Sequence, residues 1–258
     1  MARHKFALFT YDFPHLRTQE FMQRLHILGH ECIVYAAPWR ELPIAPQSER
    51  IFLRRQSLLH PETIARAYGW IYNVAEHNDL ADPLSGLTLD PKGADYMGFF
   101  YFGIIAGARI LSEELIALFG EGIINFHTGL LPLLRGLDTP LWAIMDNQPP
   151  YITAHWIDSQ TDAGRFICTQ QVPLYPDDTL VDFNERLFEM QLSLLDVVTA
   201  QISRRPMRDF PPIDITGHIV HHKMAPGKEA QARSMFPAWR DRWISAGHVK
   251  DEVRLWLA

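Results

Sequence analysis

Apolar positions along the chain fall into short continuous runs separated by stretches of helical or turn-forming spacing. Residues 5–10 are such a run, closed by Tyr11-Asp12-Phe13-Pro14, which predicts a buried strand ending in a loop. Residues 18–28 place Phe21, Leu25 and Leu28 on one helical face, with Gly29 as a stop. Residues 32–36 then read as a second strand. This β-loop-helix-β opening predicts an α/β fold with a doubly wound, mostly parallel sheet, whose ligands gather at the carboxyl ends of the strands.

Further along, residues 51–53 and 70–74 read as strands, and 61–68 as a helix with proline in its first turn. Residues 79–93 are rich in Asp, Pro and Gly, yet Leu80, Leu84 and Leu87 suggest a short helix. The aromatic run 96–102 has the character of a central strand. Residues 111–119 have a helical pattern opened by Ser112-Glu113-Glu114 and closed by Gly120 and Gly122. Residues 123–127 are another buried strand. A helix near 140–145, a pair of strands at 151–158 and 165–172, and a long amphipathic helix over 180–203 follow. Pro206, Pro211 and Pro212 then suggest a linker. The expected organisation is a catalytic domain over 1–205 and a small accessory element over 206–258.

Composition narrows the class. A chain of 258 residues with 47% hydrophobic and 21% charged residues is ordinary for a globular protein. No uncharged apolar run approaches the roughly 18 residues of a membrane span, and the N-terminus does not read as a signal peptide. Two cysteines, Cys32 and Cys168, form neither a disulfide framework nor a metal spacing, so the expected location is the cytoplasm. The net charge of −6 does not suggest general nucleic-acid binding. Residues 1–200 carry −10 and residues 201–258 carry +4. That basic tail suits an anionic substrate or RNA, or equally a solvated surface.

The stretch 123–136 carries the chemistry. Residues two apart in a strand face the same way, so Asn125 and His127 share one face, at the strand end where open α/β sheets hold their sites. A second polar cluster, Asp158-Ser159-Gln160-Thr161-Asp162-Ala163-Gly164, offers two carboxylates. An amide, an imidazole and a carboxylate suit attack on a carbonyl carbon, which needs oxyanion stabilisation and proton handling. On spacing alone, Asn125 as a turn-former and His127 as a satisfied, partly buried histidine account for the same residues. His218, His221 and His222 lack the supporting Cys or carboxylate pattern of a zinc site. No Gly-x-Gly-x-x-Gly follows the first strand.

The fixed residues Asn125, His127, Leu130-Leu131-Pro132, Arg135-Gly136, Pro140 and Trp142-Ala143, followed by Asp158, Asp162 and Gly164, resemble the signature of the 10-formyltetrahydrofolate-dependent formyltransferases. Thr128 and Gly129 replace the usual small residue and serine, which is expected to alter the neighbouring pocket. The resemblance implies a catalytic trio. Asn125 would hold the formyl oxygen, His127 would stabilise the oxyanion, and Asp162 would orient His127 and help take the amine proton. It further implies folate contacts at Phe102, Gly103, Ile104, Ile105 and Asp158, with plain core strand as the alternative for the first four. Tyr11, Asp12 and Asp138 are candidate substrate contacts. The co-substrate implied is 10-formyltetrahydrofolate, with no metal.

Within the family the chain is most similar to the sugar N-formyltransferases, which modify amino-dideoxy sugars on nucleoside diphosphates, those acting on GDP-perosamine for O-antigen synthesis in particular. Its length is expected to leave no room for the added barrel of the methionyl-tRNA enzymes, so neither nucleic acid nor membrane is an expected partner. Transfer to methionyl-tRNA is the alternative within the family; an idle fold serving as a binding module is the alternative outside it. A homodimer is expected, through an edge strand within residues 214–224 carrying Ile215 and Ile219, with packing onto the chain's own core as the alternative.

Overall fold

The computed structural model describes residues 3–38, 40, 58–80 and 102–247, together with the strand 253–255. The chain divides into two compact units, Met1–Asn125 and Phe126–Ala258.

The first unit is built on β1 (Lys5–Tyr11), β2 (Glu31–Ala37), β3 (Ile71–Val74), β4 (Phe102–Ile105) and β5 (Ile123–His127), in lateral order β3-β2-β1-β4-β5. Every one of these pairings is parallel. β1 lies at the middle of the order because Phe6, Ala7, Leu8, Phe9 and Thr10 are all fully buried. A parallel strand covered on both faces shows a continuous apolar run rather than alternation. The last two residues of β5 open the second unit.

Helix α1 (Leu16–Ile27) turns Phe21, Met22 and Leu25 into the core. It starts two residues before Thr18, where the pattern placed it. The Thr18 hydroxyl is engaged with Thr10 Oγ1 and, at 2.9 Å, with Nδ1 of His15, the residue that precedes the helix. Helix α2 (Pro61–Tyr68) has the predicted bounds, with Pro61 in its first turn and Gly69 closing it at φ 70°. Helix α3 (Glu113–Ala117) is shorter than predicted, capped by the Ser112 hydroxyl, which accepts from Leu115 N–H at 3.3 Å. Leu111 and Phe119 are buried outside it, so their apolar spacing reflects core packing and not helix. The strand expected at 51–53 lies outside the described residues. So do 81–93, and 79–80 belong to a 3-10 turn, His77–Leu80. Of the strand expected at 96–102 only Phe102 is described, and there β4 begins.

The second unit holds β6 (Arg135–Gly136), α4 (Thr139–Met145), β7 (Tyr151–Trp156), β8 (Arg165–Gln171), α5 (Leu180–Ile202), β9 (Val220–His221), α6 (Pro226–Ser245) and β10 (Val253–Leu255). β7 and β8 pair antiparallel, with a register shift between Ala154 and His155, and β10 adds antiparallel to β8. Thr179 and Asp182 form a reciprocal capping box at the start of α5. That helix buries Phe183, Leu187, Leu194, Leu195 and Val198, and its Gln191 Nε2 donates to Phe126 O at 2.8 Å, against the end of β5. Helix α6 was not predicted. It is mostly exposed, burying only Ala232, Phe236 and Trp239, and carries Pro237 inside it, so neither an apolar stripe nor continuous propensity announces it. β9 pairs in parallel with β6, Arg135 opposite Val220 and Gly136 opposite His221. The stretch 214–224 thus finds a strand partner within its own unit. No described helix is long and apolar enough to cross a membrane.

Candidate active site

β5 delivers His127 on a rigid base, since Ile123, Ile124 and Phe126 are all buried. Asn125, two residues earlier on the same face of the strand, is half-buried. The buried His127 ring is fixed at both nitrogens. Nε2 lies 2.6 Å from the Leu134 carbonyl oxygen, which can only accept, so Nε2 carries a hydrogen. Nδ1 faces Asp162 Oδ1 at 3.2 Å. The Leu134 carbonyl therefore holds the Nε2–H and leaves Nδ1 turned toward the Asp162 carboxylate. Only the protonated ring donates to both partners.

Asp162 stands in the loop between β7 and β8 with φ 46°, in the left-handed region that residues with a Cβ rarely adopt. Gly164 follows at φ 94°, where an added Cβ would sit 2.1 Å from Trp156 O, so this turn requires glycine. Asp162 Oδ2 accepts from the Gly136 N–H at 2.7 Å. Burial alone would raise the Asp162 pKa. The charge and hydrogen bond of His127, the His155 ring and the Gly136 N–H outweigh it and hold the carboxyl at about 2. The group is an anion throughout the physiological range.

Three features of this site were missed from sequence. The fully buried His155 has Nδ1 2.9 Å from Ala163 O and Nε2 3.9 Å from Asp162 Oδ1, and its ring meets His127 edge-on at 6.3 Å. Burial pushes its pKa down to about 4, so it is neutral at pH 7. A histidine inside the apolar run Tyr151–Trp156 was the available signal. The second is the Leu134 carbonyl, for which no side chain gives a cue. The third is the role of the Arg135 side chain, a residue that the signature contains without assigning it one.

The structure brings His127 and Asp162 together and sets Phe102, Gly103, Ile104 and Ile105 on β4, the strand beside β5. Phe102 and Ile104 are core residues. Gly103 is required by packing, because a Cβ there would lie 2.8 Å from Ile123 Cγ1. The Ile105 carbonyl accepts from Arg17 Nη2 at 3.2 Å. Asp158 is exposed and folds back on its own loop, Oδ1 accepting from Gln160 N–H at 2.8 Å. At the end of β1, the Tyr11 ring stacks on Phe13 at 5.4 Å, and Asp12 Oδ1 accepts from the Tyr72 hydroxyl at 2.6 Å. Asp138 Oδ2 accepts from Met224 N–H at 2.8 Å. His221 stacks on Trp142 at 4.7 Å. Among the described residues no group of three or more His, Cys, Asp or Glu is placed to hold a metal.

Comparison with known proteins bears on this geometry. Residues 88–199 match the family described as formyl transferase. The chain is 30% identical over 129 residues to a methionyl-tRNA formyltransferase of Moorella thermoacetica, 46% of this chain and 42% of that protein. The matched stretches span about half the length of the curated relatives. A sugar N-formyltransferase structure from Shewanella sp. FDAARGOS_354 superposes with a TM-score of 0.57 at 13% identity, covering 90% of this chain and 87% of that one. A sugar 3N-formyl transferase solved in the presence of dTDP and 5-N-formyl-THF superposes at 0.55 with 14% identity, covering 85% and 70%. At such identities the likeness is one of fold.

Proposed function

We propose that this chain, whose residues 88–199 match the formyl transferase family, moves a formyl group from 10-formyltetrahydrofolate to the primary amine of a nucleotide-linked amino sugar. The observation that carries the reading is the buried His127–Asp162 pair, 3.2 Å apart, with Asn125 two residues away on the same strand face. In this reading the amine nitrogen attacks the formyl carbon, the bond from that carbon to the folate nitrogen breaks, and the amine proton ends on the departing nitrogen. The Asn125 amide donates to the formyl oxygen. The positive charge of the protonated His127 ring stabilises the negative charge that grows on that oxygen, and fixed electrostatic groups of this kind contribute more to acyl transfer than any other single effect. The Asp162 carboxylate stabilises the imidazolium and accepts the amine proton directly or through water. Phe102–Ile105, the strand beside β5, and Asp158 are the folate-side candidates.

Two further points support the sugar acceptor. The solved sugar 3N-formyl transferase of the same fold was captured with a nucleoside diphosphate and a folate, the two kinds of ligand this reading requires. The −10 balance of residues 1–200 opposes a polyanion and tolerates a diphosphate. Within the class, GDP-perosamine, an O-antigen precursor, is the acceptor the sequence resemblance favours. A second reading, transfer to methionyl-tRNA, is favoured by the 30% identical relative, with the +4 tail as RNA contact.

The deciding experiment incubates the full chain with 10-formyltetrahydrofolate and each amine, a nucleotide amino sugar or methionyl-tRNA, and follows tetrahydrofolate release at about 50 and 200 mM salt. Sugar-nucleotide formylation with a shallow salt dependence is expected. Efficient formylation of methionyl-tRNA that collapses with salt, and none of any sugar nucleotide, overturns the acceptor. Release with no amine at all overturns formyl transfer itself.

A further inference from the structure

Arg135 is 5% exposed and directs its guanidinium at backbone. Nε and Nη2 both donate to the Thr161 carbonyl, at 3.0 and 2.7 Å, and Nη1 donates to the His218 carbonyl at 3.1 Å. Thr161 immediately precedes Asp162, and the next peptide along from Arg135, the Gly136 N–H, holds Asp162 Oδ2 at 2.7 Å. Two consecutive residues of β6 therefore grip two consecutive residues of the reactive loop, one by side chain and one by backbone.

The grip acts on a conformation that does not hold itself. Asp162 sits at φ 46°, and a non-glycine residue stays there only when its surroundings over-determine it. The same β6 dipeptide is fixed from the other side by β9. Leu137 N–H donates to His221 O at 2.9 Å, and Gly136, at φ 100°, lies so close that a Cβ would fall 2.0 Å from His221 O.

We propose that Arg135 is a positioning residue for formyl transfer. Its guanidinium clamps the Thr161 carbonyl, sets the Asp162 carboxylate against His127, and makes that setting depend on the docked 218–221 segment. The inference rests on the reading of His127 and Asp162 as the reactive pair. The planar fork matters here. A lysine keeps the charge but cannot give two parallel donors to one carbonyl and a third to another.

The test compares Arg135→Lys and Arg135→Gln with the wild-type full chain, at a temperature where circular dichroism shows all of them folded. Arg165→Lys is the control. Arg165 also donates to backbone carbonyls of the C-terminal segment, Phe210 O at 2.5 Å and Arg208 O at 3.3 Å, without touching the Thr161 carbonyl. The first readout needs no substrate: side-chain ¹⁵N NMR of histidine-labelled protein, with His127 assigned by His127→Gln. Both Arg135 variants are expected to move the His127 signals toward those of Asp162→Asn, and Arg165→Lys to leave them in place. The second readout is steady-state kinetics, where kcat falls by about 10- to 100-fold with KM for both substrates nearly unchanged. His127 signals and kcat that match wild type in both Arg135 variants overturn the proposal. Failure of the wild type to transfer formyl overturns the functional reading instead, and the NMR comparison then decides the positioning role alone.

Discussion

Replacing Asp162 by asparagine removes one charge and leaves the side-chain shape. In the folded chain the carboxyl is held at about 2 instead of its ordinary 3.8. At about 1.36 kcal/mol per pH unit, that gap corresponds to about 2 kcal/mol of folding stability at neutral pH. The folded pKa lies below the unfolded one, so this stabilisation is complete above about pH 4 and is lost as the pH falls through about 2. Urea unfolding of wild type and Asp162→Asn at neutral pH, and in steps from pH 4 to pH 2, reads it directly, because taking the difference cancels every other carboxylate. The expected gap is about 2 kcal/mol at pH 7, closing toward pH 2. Transfer should fall by roughly 100-fold or more in the same variant, since His127 loses the anion that stabilises its charged form. No gap at pH 7 refutes the electrostatic account of this pair. A gap that persists unchanged at pH 2 assigns the loss to packing and refutes it equally.

Two further outcomes follow from the same geometry. His127→Ala and Asn125→Ala are each expected to keep the secondary structure by circular dichroism while transfer drops by roughly 100-fold or more; near-normal turnover in His127→Ala removes that residue from the chemistry. Gly136→Ala is expected to lose roughly 2–4 kcal/mol in urea unfolding, because the added Cβ meets His221 O at a left-handed φ. Gly217→Ala, also at positive φ but with nothing within 4 Å, is expected to lose only about 1 kcal/mol, and equal losses in the two would remove the contact from the explanation.

What was legible in the sequence was what local chemistry decides. The opening βαβ pattern, the bounds of α2 and the bounds of β5 follow from apolar runs punctuated by Pro61 and Gly122, and the structure shows each of them. The Asn-x-His spacing put two side chains on one strand face by alternation alone. The misplaced ends of α3 have a local physical cause: Leu111 and Phe119 are buried without being helical. Helix α6 was illegible because tertiary packing at Phe236 and Trp239 sustains it through an interior proline.

The site's supports were invisible for a different reason, since they are contacts between backbone and side chain across long stretches of chain. Arg135 and the carbonyl it holds at His218 are 83 residues apart, and Asp138 and the Met224 N–H are 86 apart. Carbonyls and N–H groups leave no trace in residue identity, so the Leu134 oxygen that holds the His127 Nε2–H has no sequence signature at all. A motif read as a string records which side chains matter and hides what holds them. In this chain Arg135-Gly136 stands in the signature with no role attached to it. Folded, the pair grips the strained Asp162 turn on one side and β9 on the other. That arrangement gives a physical reason for the string: the arginine needs its fork for one carbonyl twice over, and the glycine needs the absent Cβ to let His221 approach. Neither requirement is met by the residues' usual conservative replacements, lysine and alanine.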